Sequence, residues 1–469
     1  MWPFNMLKLA IIPKLNKFII KRDEITLDKV ILSKFGEYTV ADPNRIRRAA
    51  EIVKANPSRR YVMTVAPGRQ KSEDTKVTDL LCIAHTRSTN GENYAEILAL
   101  VQERFTQIIK DLGIDFDIEA EIADLKKNLF FRKNLDYVAS RGEYIMSKIL
   151  AKFLGWEFVD AAKLIFFDKD GTLNTEKSLS TASAMLKNVE RAVIPGFYGS
   201  INGTQIKTFA REDCDTSAAL IATAVNADLL ERWTEPKRTY VVNPSIIKNP
   251  LALRYLTYGE LNDLTYMGVN VINDLALFQL TKAGITMSVR MIDNPDDPGM
   301  LVTKELTPEM ARNVVSCIAG KKDYKVLYVK KYGLNKMPDF IPKLLGVFAK
   351  RNIACEHCIT GIHQVSLLIK NLMFDLRREE IFSEIKKAVS PDSLVVENDI
   401  SLLAVIGQGL RRSQVTLNKI FNALSEAKIE SHIMDQGCDD VSVILGVRDE
   451  DYEKAIKVLY DAVIEKRGE

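Results

Sequence analysis

The 469 residues are 46% hydrophobic and 27% charged, enough apolar material for roughly two to four domain cores and unlike a disordered or collagen-like chain. Net charge is only +3, from 65 basic and 62 acidic residues, which excludes a strong nucleic-acid-binding field. No apolar run reaches the roughly 18 residues that a membrane span needs, and six scattered cysteines are too few for a disulfide scaffold, so a reducing cytoplasm is expected.

Residues 1–28 carry Lys8, Lys14, Lys17, Lys21 and Arg22 with no acid before Asp23. A surface anchor or targeting peptide has this character. Pro3 and Pro13 interrupt any long helix, however, and no small-residue cleavage site follows, so a poorly ordered extension is expected. From residue 29 the pattern is strand, then helix, repeated. "KVILSKFG" reads as a short strand ending in a Gly turn, and "NRIRRAAEIVKAN" has helical spacing after the start signal Asp42-Pro43. "RRYVMTVAPG" is a second strand, and "ENYAEILALVQERFTQIIKDLG" and "EYIMSKILAKFLG" are amphipathic helices. Strands alternating with helices predict an α/β layer with a mostly parallel sheet, whose ligands sit at the strands' carboxyl ends.

The stretch "LIFFDKDGTLN" at 164–174 runs an apolar strand into Asp168 and Asp170. That pattern resembles the nucleophile and acid/base of haloacid dehalogenase phosphohydrolases. Such enzymes place the nucleophile on the first strand of their own domain, whereas here about 130 residues of another α/β pattern come first. A turn rich in Asp and Gly between two strands needs no catalytic reason. In the last 150 residues "YKVLYVKKY", a helix, "ACEHCITG" and "QVSLLIK" are followed by the same order in "SLLAVIGQG", a helix, "IESHIMDQG" and "DVSVILGV". This predicts two copies of a βαββ unit. Within the first copy, Cys355 and Cys358 have a metal-like gap, with His357 and His363 nearby, but no second pair exists. Ordinary buried thiols are expected and no metal site is assigned.

Ordered segments then carry a resemblance. "KFGEYTVADPNRIRRAAEIVKANPSRRYVMTVAPG", "SRGEYIMSKILAKFLG", "FVDAA", "VIPGFYGS", "IKTFAREDCDTSAALIA", "YGELNDLTYMGVNVIND" and "NPDDPGMLV" resemble the aspartate kinases of the amino-acid kinase family, in family order and spacing. The resemblance covers about residues 30–469. It implies an amino-acid-kinase-type three-layer α/β sandwich at 29–305, followed at 306–469 by two βαββ ACT-like domains. "FFDKDGTLN" then falls where the family has an acidic, Gly-containing hairpin. The implied reaction is transfer of the γ-phosphoryl of ATP, with Mg²⁺, to the side-chain carboxylate of L-aspartate, the first step toward lysine, threonine and methionine. Implied partners are a feedback amino acid, lysine or threonine, and a second copy of the chain joined through the ACT domains.

The resemblance assigns roles residue by residue. Lys34 in "KFG" matches the phosphate-contacting lysine, and Asp215 the aspartate that organises it. Arg211 and Glu143 match the residues that hold aspartate's α-carboxylate and α-ammonium, chemistry that suits an Arg fork and a carboxylate. Thr39, at a family serine, is expected at the substrate. Gly36, Thr234, Glu235 and Tyr240 are expected at the nucleotide. Gly361, Ile362, His363 and Gln364 are expected at the effector, with His363 and Gln364 where the family often has Asp and Thr. Neutral His grips an ammonium less well than a carboxylate does, so weakened feedback is expected.

The phosphate loops depart from the family. Glu37 replaces a glycine in "KFGEYT", Glu212 and Asp213 replace two in "AREDCD", and Asn243 and Ser245 replace an acid and a nucleotide-facing Arg in "VNPS". Glycines there allow close backbone approach and positive φ. A carboxylate about 4 Å from a phosphate charge costs about 4 kcal/mol at an effective dielectric near 20. Lys237 and Arg238 could compensate. Two readings result: an aspartate kinase, or an impaired paralogue that binds amino acids and regulates a partner.

Overall fold

The computed structural model describes residues 29–131, 134–209, 213–436 and 441–464. The expected N-terminal extension lies outside these residues, as do Arg211 and Glu212.

Eleven strands belong to the first body: β1 (Ile31–Phe35), β2 (Arg59–Thr64), β3 (Glu157–Phe158), β4 (Phe166–Phe167), β5 (Ala192–Pro195), β6 (Tyr198–Ile201), β7 (Gln205–Thr208), β8 (Leu229–Thr234), β9 (Tyr255–Thr257), β10 (Thr286–Met291) and β11 (Met300–Thr303). Eight form one sheet in the order β3-β5-β2-β1-β8-β10-β11-β9, parallel except for the β10/β11 pair. The pleat sends alternate residues to opposite faces. Val62 and Val193 pack on one side with the helices Pro43–Lys54, Ala95–Leu112 and Arg141–Leu154. Tyr61, Met63, Ala192 and Ile194 pack on the other with Asp215–Ala224, Tyr258–Tyr266 and Asp274–Ala283. Both faces are covered, which is why the strands read as continuous apolar runs. This is the expected three-layer sandwich.

Local signals place the helices. Asp42 accepts from the backbone N–H of Asn44 and Arg45, at 2.9 and 3.0 Å, with Pro43 as the first helical residue. The acidic stretch is a turn. The N–H of Asp168 donates to Thr172 O at 2.8 Å, and the Asp170 carboxylate accepts from the Thr172 N–H at 2.9 Å. Phe167 bridges to Leu173, after which the chain enters a helix, Thr175–Leu186, rather than a second full strand. Asn174 caps that helix and donates to the Asp168 carboxylate.

The C-terminal part contains β12 (Cys317–Lys330), β13 (Cys355–Thr360), β14 (Gln364–Lys370), β15 (Ser393–Ile406), β16 (Ile433–Asp435) and β17 (Ser442–Arg448). The order is β13-β14-β12-β15-β17-β16, all antiparallel. Both βαββ units are present, but they interlace. β12 and β15 are each 14 residues long and run through both units. Their outer halves, Val326–Lys330 with Ser393–Glu397, pair on toward β14. Their other halves, Cys317–Lys321 with Leu402–Ile406, pair on toward β17. The strand expected from Tyr324 therefore begins at Cys317, beyond an irregularity between Lys321 and Tyr324.

The two parts share a core: Leu261 and Leu264 of the first belong to one apolar cluster with Ile318, Leu403 and Leu445 of the second. Glu260 fixes the joint. Its buried carboxylate accepts from Thr257, from the Ser316 hydroxyl at 2.6 Å and from the Gln408 N–H at 3.0 Å.

Candidate active site

The sheet reverses its winding at β1, since β2 lies on one side and β8 on the other. Ligands of such sheets bind at the carboxyl ends beside that reversal. A cavity of about 300 Å³ lies there, lined by the ends of β1, β2 and β8 and by the helix that begins at Arg141. Lys34, Gly36, Glu37, Glu143, Thr234 and Glu235 all line it. Asp215 joins them through Lys34, with Nζ 2.9 Å from Oδ1. Burial alone would push the Asp215 carboxyl up. The charges of Arg232 and Lys34, with their hydrogen bonds, outweigh this and hold it well below the usual carboxylate range.

Arg232 carried no signal in the sequence. It stands directly opposite Lys34 across the β1/β8 pair, and its Nε donates to both Asp215 oxygens, at 3.1 and 3.3 Å. The neighbouring positions face the other way. Glu231 is buried and accepts from Arg59, Ser33, Arg290 and the Trp233 indole, which stacks over Phe35. That network fixes the strand that carries Arg232.

Glu143 reaches the cavity because Gly142 lets the helix N-terminus press against β2; a Cβ on Gly142 would lie 2.7 Å from that of Ala66. Glu143 is 4% exposed, and its Oε2 has no hydrogen-bond partner among the described residues. Burial pushes its carboxyl up to about 7, against the lowering effect of its own and Ala66's backbone N–H groups.

Two of the replaced loop residues, Glu37 and Asp213, are accommodated. Neither Glu37 nor Asp213 has a positive φ, so neither strains a glycine conformation. Glu37 pairs with Lys76 at 2.9 Å, so its charge is locally compensated. Its carbonyl receives the Gly68 N–H at 3.0 Å, where a Cβ on residue 68 would stand 2.8 Å from that oxygen. Asp213 turns to the following helix: it accepts from the Thr216 N–H and hydroxyl, at 3.0 and 2.8 Å, and from the Asn273 amide. Thr39 is fully buried, its hydroxyl donating to Gly36 O at 2.6 Å, and it supports the loop from behind. Tyr240, Asn243 and Ser245 do not line the cavity; Tyr240 bridges to Ala252, and Asn243 and Ser245 are exposed and bonded to each other. Arg238 is engaged with Asp297 at 2.6 Å.

At the other expected site, two loops meet. The Lys331 N–H donates to His363 O at 2.9 Å and the Gly333 N–H to His363 Nδ1 at 3.2 Å, while the Tyr332 and His363 rings stack with centroids 4.9 Å apart. The Gly361 N–H closes the turn on Gln364 O, leaving Ile362 exposed. His357 of the "CEHC" stretch bonds Asp435 at 3.1 Å.

Residues 29–291 match the Amino acid kinase family, and residues 403–463 match an ACT domain. The chain belongs to the amino acid kinase family, among its aspartate kinases with C-terminal ACT domains. It is 28% identical to Aspartokinase 3 of Bacillus subtilis (strain 168), over 91% of this chain and 97% of the relative. The crystal structure of the Clostridium acetobutylicum aspartate kinase superposes with a TM-score of 0.84 at 36% identity, covering 93% of this chain and all of that one. Escherichia coli aspartokinase III shares the fold over 93% of this chain and all of that one. Its complex with aspartate and ADP (R-state) superposes with a TM-score of 0.69 at 20% identity, and its complex with lysine and aspartate (T-state) with 0.68 at 19%.

Two outcomes are expected. Glu143 binds its proton more tightly when folded than when unfolded, so its contribution to stability is fully present below the unfolded pKa near 4.5 and is lost as pH rises to about 7. The loss should be about 3 kcal/mol and absent in Glu143→Gln, as denaturant titrations at pH 4.5 and 8 would report. An equal pH dependence in both proteins would contradict the assignment. Asp213→Ala should lower stability by about 1 kcal/mol through the lost bond to the helix's first turn and leave ADP affinity unchanged. Calorimetry finding tenfold tighter ADP would mean that this carboxylate faces the phosphates.

Proposed function

We propose that the chain transfers the γ-phosphoryl group of Mg·ATP to the side-chain carboxylate of L-aspartate, giving 4-phospho-L-aspartate. One observation carries this reading: the buried Glu143 carboxylate, whose Oε2 has no hydrogen-bond partner among the described residues, and the Lys34 ammonium line the same cavity. The first suits an amino acid's ammonium and the second a phosphate. A carboxylate oxygen of aspartate attacks the γ-phosphorus, the bond to the β,γ-bridging oxygen breaks, and ADP leaves with that electron pair. No proton need move, so catalysis rests on positioning and charge compensation. Mg²⁺ carried by the nucleotide would supply part of the charge compensation at its phosphates. Among the described residues no group of three or more His, Cys, Asp or Glu is gathered to hold a metal. Arg211 is proposed for the α-carboxylate of aspartate, and Gly36, Thr234 and Glu235 for the nucleotide. The E. coli relative, solved with aspartate and ADP, supports this pairing of ligands.

A second reading, an impaired regulatory paralogue, is favoured by the acids Glu37, Asp79 and Glu235 in the same cavity wall. Hydroxamate-trapped turnover separates the two. The kinase reading expects about 1 to 100 turnovers per second. Binding of both substrates without turnover would establish the impaired reading, and failure to bind aspartate would overturn the site.

We also propose that the turn at Gly361, Ile362, His363 and Gln364, with the loop at Tyr332 and Gly333, binds a feedback amino acid weakly, and that the ACT parts pair two copies of the chain. The E. coli relative binds lysine. Because the turn offers His363 where a carboxylate would hold an ammonium, His363→Asp should tighten lysine or threonine binding about tenfold, a gain of about 1.4 kcal/mol. Unchanged affinity for both in calorimetric titrations would remove the turn from the effector site.

A further inference from the structure

We propose that Arg232 is the second phosphate-contacting cation of the transfer site, a role that deepens the kinase reading above and rests on it. Lys34 and Arg232 are direct neighbours across parallel strands, and both point at one carboxylate. Like charges directly opposite in a sheet are unfavourable. Asp215 neutralises one of the two, so the cluster keeps one net positive charge at the cavity wall. Without Arg232 the Lys34–Asp215 pair would be neutral and would offer a phosphate little.

The geometry of Arg232 fits such a role. Its Nε is spent on Asp215, while no hydrogen bond from either Nη is found among the described residues. Arg carries four of its five N–H donors on those two nitrogens, in a fork that matches phosphate oxygens. The side chain is 24% exposed and lines the cavity. Ser245, at the position where the family resemblance places a nucleotide-facing Arg, is exposed and outside the cavity wall. Arg232 therefore supplies from the strand the charge that is missing from that loop. In the transfer step its two Nη groups meet oxygens of the migrating phosphoryl group. They balance charge that spreads over those oxygens as the bond to the bridging oxygen breaks and the bond to the aspartate carboxylate forms.

The test compares the wild-type chain with Arg232→Gln and Arg232→Lys by hydroxamate-trapped turnover and by calorimetry with ADP and with aspartate. In Arg232→Gln, kcat should fall at least about 100-fold and ADP affinity about tenfold, with aspartate affinity unchanged. Arg232→Lys can still neutralise Asp215 but lacks the fork, so it should remain at least about tenfold below wild type in kcat. Full recovery in Arg232→Lys would show that the residue only balances Asp215 and would overturn the proposal, as would a threefold or smaller effect in Arg232→Gln. If the wild-type chain binds ADP without turning over, the kinase reading fails by itself and the ADP comparison still decides for or against Arg232. A wild-type chain that binds neither ADP nor ATP would overturn both. Arg232→Lys keeps the charge that Asp215 holds, so it should unfold near the wild-type temperature, and a thermal scan would check this.

Discussion

Two cations stand side by side on neighbouring parallel strands, and a single carboxylate holds them. Lys34 and Arg232 both reach Asp215, at 2.9 and 3.1 Å, so their charges lie within about 6 Å of each other. At an effective dielectric near 20 that repulsion is about 3 kcal/mol, which the fold sustains only because Asp215 lies between them. Asp215 in turn begins the helix Asp215–Ala224, where the helix dipole favours an acid. The order of the strands decides where this cluster sits. It forms where the winding of the sheet reverses, and the loops from β1, β2 and β8 close around it.

Charge in this cavity is managed locally. Glu37 has Lys76, Asp213 serves the helix behind the loop, and burial pushes the Glu143 carboxyl up to about 7. A count of acids along the chain overstates the negative field that a phosphate would meet, because each acid is weighed with its own neighbours. Glu143 differs from the others: it is buried with an oxygen that has no hydrogen-bond partner among the described residues, a costly arrangement that a bound ammonium would relieve.

The C-terminal part is joined to this body by packing. Glu260 ties the helix Tyr258–Tyr266 to backbone and hydroxyl groups of the C-terminal part, and one apolar cluster crosses the boundary. β12 and β15 each run through both βαββ units, so the two units share two continuous strands. The loops at Tyr332 and His363 lie at the end of β12 and before β14, far along those strands from the Glu260 joint.

The sequence by itself determined the elements and the family. Apolar runs, the Asp42-Pro43 start and helical spacing are local signals, and they gave β1, β2 and the long helices with the sandwich they build. Lys34, Glu143 and Thr234 were legible because motif and spacing carried them, and the cavity brings them together. Tyr240, Asn243 and Ser245 were equally legible as motif yet stand outside its wall, since a motif fixes order along the chain but not direction. Only the tertiary structure decided that Arg232 faces Lys34, that Lys76 answers Glu37, that Asp213 turns to Thr216 and that the two repeats interlace. Lys34 meets partners nearly two hundred residues away, and a pairing at that separation leaves no periodicity or spacing in the sequence. It exists only once the strands have lined up in register and burial has made each charge seek its nearest opposite.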